Sequence, residues 1–336
     1  FYDEENTGGS VAQAEEFDTA EPEKVVELDV TGLVQQFIRE QPDENEIGFA
    51  VNVTATGNRF QMYSKESGEN FAPRLIIQKE ESDLSDPVLK VSFDGENADD
   101  ESRYGTNGTV VGSPEYAEGV SGKAIHFQNP EEREETATQY VDFGTPENLQ
   151  FTDGDFSVAF WYKASSDCQK EGAIVSNKDW SDGGNAGFNL GDMREGINWN
   201  FNTVESKAEG KGRVEVGRYP QATDGTWHHV TGVADRAGEE IRLYIDGEEI
   251  AAKSTQGWTG SVDVTNFVLG ADGLKKRGVE DAFVDELQVY KSALNEETIA
   301  DLMIDGRISL SMKEMESQLA AMEESGEYDS EALETM

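Results

Sequence analysis

The chain contains 336 residues, and 27 lysines and arginines stand against 69 aspartates and glutamates, which gives a formal net charge of −42 at pH 7. No basic stripe is present that could neutralise a phosphate backbone, so nucleic acid is excluded as the expected partner, and the same charge repels anionic membrane surfaces. The many carboxylates could hold a hard cation such as Ca²⁺, or they could form the acidic surface of a salt-adapted protein.

The chain has one cysteine, Cys168, so no disulfide can form within it. This favours a bacterial surface protein over a eukaryotic secreted domain, which more often carries a disulfide. No apolar run reaches the roughly 18–20 residues that cross a bilayer, so membrane insertion is not expected, and no signal peptide opens the sequence. We expect a monomeric region of a longer extracellular protein, secreted or associated with the cell wall, whose targeting segment lies outside this sequence.

The first 79 residues alternate short β-like runs with polar loops. These runs cover residues 25–30, 47–53, 60–64 and 74–77. Three or four strands are too few for a stable sandwich, so the remaining strands are expected before Phe1.

Four pieces of this segment carry a family resemblance, and they come in the family's order: Leu28-Asp29-Val30-Thr31, Gly48-Phe49-Ala50, Tyr63-Ser64-Lys65-Glu66 and Pro73-Arg74-Leu75. Residues 1–79 resemble the C-terminal half of the DNRLRE-type β-sandwich modules found beside bacterial polysaccharide-degrading enzymes. A generic half jelly roll is the alternative. Residues 80–87 lack periodicity and end on proline, which predicts a linker.

An all-β domain is predicted from 88 to 303, because short β-rich runs are separated by Gly, Asn and Asp. The clearest runs cover residues 88–93, 156–162, 227–234, 241–245 and 283–290. Asp246-Gly247 follows the fourth run and predicts a two-residue hairpin turn, since both positions of a type I′ turn need a positive φ. The expected fold is an antiparallel β-sandwich.

Seven blocks of this domain come in the order of a known family: Phe93-Asp94-Gly95, Asn107-Gly108-Thr109, Gly122-Lys123-Ala124-Ile125-His126-Phe127, Phe156-Ser157-Val158-Ala159-Phe160-Trp161, Trp227-His228-His229-Val230, Leu243-Tyr244-Ile245-Asp246-Gly247 and Phe283–Tyr290. They resemble the laminin G-like, concanavalin A-like superfamily of bacterial proteins. The resemblance implies a jelly roll of two curved antiparallel sheets that binds carbohydrate or protein and often carries one structural calcium ion.

The resemblance also implies a calcium site between the loop after the first strand and the last strand. The matching positions are Asp94, Asp100 and Asp285, and side-chain oxygens of this kind suit Ca²⁺. Asp99 lies next to Asp100 and is an equally suitable ligand. The alternative is that Asp94 caps a turn and Asp285 is a solvated strand residue.

Tryptophans beside amides and charged groups on a glycine-rich loop predict a sugar-binding platform, because an aromatic face suits the C–H side of a pyranose and polar groups suit its hydroxyls. The alternative for these residues is simple packing and strand capping. The candidates are Asn177, Lys178, Asp179, Trp180, Asn185, Trp199 and Trp258.

No catalytic residues are expected. A retaining glycosidase needs two carboxylates on one strand face a few ångströms apart, and no strand shows that ladder. The histidines His126, His228 and His229 are expected to be packed or edge residues.

Helical patterns follow the sandwich, over residues 292–302 and again within a helical segment at 304–336. The sequence thus predicts a non-catalytic carbohydrate-binding or adhesion region of a larger bacterial polysaccharide-active protein, which is itself secreted or on the cell surface. A structural spacer without ligand, or a β-sandwich glycosidase or lyase, are the alternatives.

Overall fold

The computed structural model describes residues 86–130, 136–164, 171–193 and 196–325. The β-like runs predicted within residues 1–79, most of the linker at 80–87 and Cys168 lie outside the described residues. No helix among the described residues is both long enough and apolar enough to cross a membrane.

The described chain forms fifteen strands and two α-helices. In chain order the strands are β1 (Leu89–Val91), β2 (Thr109–Val111), β3 (Glu115–Glu118), β4 (Lys123–Gln128), β5 (Tyr140–Asp142), β6 (Phe156–Ala164), β7 (Gly172–Ser176), β8 (Gly187–Asp192), β9 (Ile197–Asn202), β10 (Val214–Tyr219), β11 (His228–Asp235), β12 (Glu240–Ile245), β13 (Glu248–Ser254), β14 (Val268–Leu269) and β15 (Asp281–Tyr290). The helices are α1 (Val204–Ala208) and α2 (Glu296–Ser325), and short 3₁₀ turns cover Glu147–Leu149 and Pro220–Thr223.

The strands form two antiparallel sheets. Sheet A has the order β13-β12-β11-β6-β15-β4-β3, with β1 paired to β15, and sheet B has the order β10-β9-β8-β7-β14-β5-β2. The two sheets pack through one shared core, as a single continuous cluster of buried apolar residues from both sheets shows. The predicted all-β antiparallel sandwich is confirmed.

The core follows from period-two alternation along the strands. On β6, Phe156, Val158, Phe160 and Tyr162 are all completely buried and belong to this core. The Phe156 ring of sheet A lies 5.0 Å from Phe188 of sheet B, measured between ring centroids. Each such side chain contributes about 1.5–3 kcal/mol when fully buried.

The hairpin predicted at Asp246-Gly247 is confirmed. Asp246 has φ of 52° and Gly247 has φ of 83°, and they connect β12 to β13. Asp and Gly tolerate these positive φ values better than other residues do, and for that reason the dipeptide is a reliable hairpin signal.

The two helical patterns of the sequence join in one continuous helix, α2, as far as Ser325, and residues 326–336 of the predicted helical segment lie outside the described residues. Asn295 caps its start, because its side-chain oxygen accepts a hydrogen bond of 2.9 Å from the Thr298 amide. The helix lies on the outer face of sheet A, where Met303 is buried against Trp161 and Val120. Trp161 points away from the core as period two requires, and this helix covers it.

Gly306 allows the helix to approach Trp161 closely. A Cβ placed on Gly306 would lie 2.6 Å from the Trp161 ring, well inside van der Waals contact. A glycine inside a helix normally costs stability relative to alanine, so its presence here is explained by this contact.

We expect Gly306→Ala to lower the melting temperature, although Gly→Ala at an open helix position raises stability. Overpacking costs about 1–3 kcal/mol, which corresponds to roughly 2–12 °C for a domain of this size. Met312→Ala, at an exposed position of the same helix, serves as the control and should change the melting temperature little. A higher melting temperature for Gly306→Ala would contradict the contact between α2 and Trp161.

Candidate functional site

Two of the three predicted calcium ligands, Asp94 and Asp285, reach the same turn from different parts of the chain. The turn covers residues 119–123 and connects β3 to β4. Asp94 Oδ1 accepts a hydrogen bond of 2.8 Å from the Lys123 amide. Asp285 Oδ2 accepts hydrogen bonds of 2.7 Å from the Val120 amide and 3.1 Å from the Ser121 amide.

The turn is shaped to admit both carboxylates. A Cβ on Gly122 would collide with the Asp94 carboxylate, and a Cβ on Gly119 would collide with the Asp285 carboxylate. Asp285 is completely buried, and this burial raises the pKa of its carboxyl to about 8 although backbone amides donate to it. A buried carboxylate of this kind is stabilised by a nearby cation.

Asp100 does not join this group. Its Oδ1 accepts from the Lys90 and Ser102 amides at 3.0 and 2.8 Å, and its Oδ2 accepts from the Thr106 amide at 2.7 Å. The carboxylate therefore holds its own loop together. Asp99 is exposed and accepts from the Asn97 side chain.

Within the parts of the chain that the structure describes, no three carboxylate, imidazole or thiol groups lie together as a metal site. Asp94 and Asp285 still fit Ca²⁺, because calcium takes many of its ligands from backbone carbonyls and water. Calcium binding thus stays a prediction, which now depends on Asp94 and Asp285.

We expect chelation to lower the melting temperature, since a ligand that binds only the folded state stabilises it by mass action. Calcium at about 100 times its Kd should add about 2.7 kcal/mol. Asp94→Asn and Asp285→Asn should remove the difference between melting curves in calcium and in chelator. Asp100→Asn should lower both curves and keep the difference; identical wild-type curves in calcium and chelator would rule the site out.

Four of the seven predicted sugar-binding residues are buried. Trp199 is completely inaccessible and lies in the core, where its indole N–H donates to the Val233 carbonyl. Its ring therefore has no face that a ligand could reach. The structure favours the alternative of simple packing for Trp199. Trp180 is 6% exposed, Asn177 is 2% exposed and Lys178 is inaccessible.

Trp258 is half-buried and lies apart from the loop. Its indole N–H donates to the Gly212 carbonyl at 3.2 Å, and the Lys211 ammonium lies 5.5 Å from the centroid of its ring. These contacts tie the segment around Trp258 to the segment that follows α1.

The remaining two residues, Asp179 and Asn185, line an open cleft of about 260 Å³. Asn185 donates to the Asp179 carbonyl at 2.9 Å and accepts from the Lys207 ammonium. Apart from Ala186, which follows Asn185, the other cleft residues come from α1 and from the segment before β14. The full lining is Asp179, Asn185, Ala186, Val204, Lys207, Val264 and Thr265.

The sequence alone did not indicate Val204, Lys207, Val264 or Thr265. The nearest local signal is Thr203, which caps α1 by accepting from the Ser206 amide and so places Lys207 at the cleft. Val204 and Val264 are 42% and 40% exposed, which is unusual for valine on a polar surface.

Lys178 is a buried cation directly beneath this loop. Its ammonium donates to the Gly183 carbonyl at 2.8 Å and to Asn200 Oδ1 at 2.9 Å. Burial, together with the nearby positive charge of Arg213, lowers the pKa of Lys178 from 10.5 to about 7.

This lowered pKa predicts a pH dependence of stability. Between pH 7 and 10.5 the unfolded chain binds the Lys178 proton and the folded chain does not, so the unfolding free energy rises with pH in that window. In that window we expect the unfolding free energy of the wild type to rise relative to that of Lys178→Met by up to about 1.4 kcal/mol for each pH unit. Urea unfolding from pH 6 to 10 measures the difference, with the exposed Lys207→Met as control; a difference that is flat with pH would contradict the lowered pKa.

None of the three histidines lines the cleft. His126 stacks on Phe283 at 3.8 Å between ring centroids and contacts Asp281. His229 is buried, and burial lowers its pKa to about 4. Burial alone would also lower the pKa of His228, but hydrogen bonds to Asp246 and Asp224 outweigh it and raise that pKa.

Residues 135–300 match the family described as the concanavalin A-like lectin/glucanases superfamily. No curated protein matches the sequence. The resemblance of residues 1–79 to DNRLRE-type modules is not tested by these matches and stays a prediction.

Solved structures that resemble the chain include two toxin binding domains. The binding domain of Paraclostridial Mosquitocidal Protein 1 is 19% identical with a TM-score of 0.53, and the match covers 66% of this chain and 52% of that one. The binding domain of botulinum neurotoxin serotype G is 15% identical with a TM-score of 0.52, and the match covers 64% and 50%. The match thus spans about half the length of these structures, and at such identities it shows a shared fold.

Proposed function

Because residues 135–300 match the concanavalin A-like lectin/glucanases superfamily, we propose that this protein binds carbohydrate without catalysis, as one region of a larger bacterial polysaccharide-active protein. In this proposal the protein is extracellular, the glycan is bound in the cleft between Asp179 and Val264, and a calcium ion fixes the turn at 119–123.

The composition of the cleft carries the proposal. Asp179, Asn185, Lys207 and Thr265 place an acceptor, an amide, a cation and a hydroxyl around one opening. Val204 and Val264 expose apolar surface beside them. A sugar ring presents the same mixture, with C–H faces between directed hydroxyl groups.

The net charge of −42 favours a neutral glycan over a polyanionic one. A protein of such charge repels like-charged polymers before any local contact forms. Lys207 is then a hydrogen-bond donor to hydroxyl groups rather than a partner for a carboxylate.

Binding without catalysis is supported by the carboxylates of the cleft. Asp179 is the one carboxylate among its seven lining residues, whereas glycosidases use a pair of carboxyl groups on either side of the scissile bond. The two toxin domains that share the fold are binding domains by their own descriptions.

We expect Lys207→Met to weaken glycan binding about tenfold or more, because a hydrogen bond from a charged donor contributes about 1.5–3 kcal/mol. Val264→Ser should weaken binding severalfold through lost apolar contact. A glycan array identifies the bound structures, and calorimetry with the purified tetrasaccharide of the best hit measures the affinities. Lys253→Met, an exposed lysine on β13, is the matched control.

An array without binding above background would overturn carbohydrate binding. Equal affinities for Lys207→Met and Lys253→Met would instead move the site away from this cleft. Release of reducing ends from a bound polysaccharide would show a glycosidase.

A further inference from the structure

The outer face of sheet B carries a row of asparagines beside the cleft. On β8 and β9 the residues alternate, so that Phe188, Trp199 and Phe201 enter the core while Asn189 and Asn200 face outward. These two asparagines are paired across the strands. Both are nonetheless buried, with exposures of 0% and 1%, because a loop covers this face.

Most amides of the row are satisfied by hydrogen bonds. Asn200 accepts from Lys178 at 2.9 Å and donates to Asn198 Oδ1 at 3.3 Å, and Asn198 donates to the Val216 carbonyl at 3.2 Å. Asn189 differs, because neither its oxygen nor its nitrogen has a hydrogen-bond partner among the described residues.

The fold does not explain an asparagine at this position. A buried amide without a partner loses the full energy of its hydration, and an apolar side chain of the same size would avoid that loss. Buried polar groups without partners are rare in native proteins, and each one needs an explanation. Asn189 lies in the middle of a strand whose other outward residues are the small Gly187 and Gly191.

The loop that covers Asn189 also forms one wall of the cleft. We call residues 179–186 the lid segment. A Cβ on Gly191 would lie 2.6 Å from Asn189 Nδ2 and 3.1 Å from Trp180 Cη2, so the indole and the free amide meet above the same glycine. Asp179 and Asn185 of the same segment line the cleft on its other side.

Polar contacts hold the lid segment closed. The Trp180 amide donates to Asp272 at 3.1 Å, Lys178 donates to the Gly183 carbonyl at 2.8 Å and Asn202 donates to the Gly184 carbonyl at 2.7 Å. The segment contains Gly183 and Gly184 and is followed by Gly187, whose φ of 104° few other residues adopt. Water or ligand hydroxyls can replace each of these hydrogen bonds.

We propose that the lid segment opens over an inner subsite, in which Asn189 and Lys178 bind the hydroxyl groups of a second, neutral sugar residue of the chain held in the cleft. This inference depends on the proposed carbohydrate binding. Asn189 supplies an amide N–H donor group and a carbonyl acceptor, the combination that vicinal hydroxyls require, and Trp180 becomes available to stack on the ring.

The stability cost of the closed state fits this role. Burial under the lid segment lowers the pKa of Lys178 to about 7, and Asn189 lacks hydrogen bonds in the same state. Both costs are removed when hydroxyl groups reach these side chains.

The test compares wild type with Asn189→Leu, which keeps the approximate volume and removes the amide. The probes are the homotetrasaccharides of glucose, galactose, mannose and N-acetylglucosamine. We expect Asn189→Leu to raise the melting temperature and to lower the affinity for the tetrasaccharide at least tenfold. Asn189→Ala fits the same space and should weaken binding equally, which guards against a packing fault from leucine.

Three outcomes would overturn the inner subsite. Unchanged tetrasaccharide affinity in both Asn189 variants would remove it and leave binding in the cleft intact. A lower melting temperature with unchanged affinity would show that the amide holds a structural water only. If wild type binds none of the four tetrasaccharides and nothing on the array, both proposals fail together.

Movement of the lid segment is measured separately through Trp180 fluorescence. We expect a saturating tetrasaccharide to change acrylamide quenching of the wild type, and Trp180→Phe to lose this change while the other tryptophans report none. No change in the wild type at saturation would contradict an opening lid.

Discussion

The contact between the two sheets decides where a ligand can bind in this protein. Phe156 of sheet A meets Phe188 and Trp199 of sheet B, with ring centroids 5.0 and 5.8 Å apart. Because strand residues alternate between faces, the neighbours of Trp199, Asn198 and Asn200, lie on the outer face of sheet B. The amide row and the lid segment above it are consequences of that alternation.

The same rule explains what the sequence could predict. The order of β-rich runs, the Asp246-Gly247 turn and the core face of β6 are local patterns, and each is present in the structure. The burial of Trp199 could also be predicted from the sequence, because Ile197, Trp199 and Phe201 alternate with asparagines. An aromatic residue in such a pattern belongs to the core before it belongs to a sugar platform.

The cleft could not be predicted in this way. Lys207 lies on the short helix α1, Val264 lies in the segment before β14, and Asp179 lies more than twenty residues before either. The fold alone brings these segments together. Asp100 shows the converse limit, since the resemblance suggested a metal ligand while the adjacent Ser102 and Thr106 amides use its oxygens to close a local turn.

The helix α2 contacts both Trp161 on the outer face of sheet A and the turn at 119–123. Gly306 brings the helix onto Trp161, and about two turns later Lys313 donates to the Gly119 carbonyl at 2.5 Å. Gly119 belongs to the turn whose next two amides, Val120 and Ser121, donate to Asp285, so α2 is hydrogen-bonded to that turn. The turn at 119–123 and α2 are therefore in direct contact.

Three buried polar side chains lie at or beside the proposed sites. Asp285, Lys178 and Asn189 are each completely buried, and each departs from ordinary protonation or hydrogen bonding. The aromatic core between the sheets is stable enough to tolerate such costs, which a smaller domain could not. Residues that lower stability and have no structural reason are expected at functional sites, and these three lie at the turn at 119–123 and beside the lid segment.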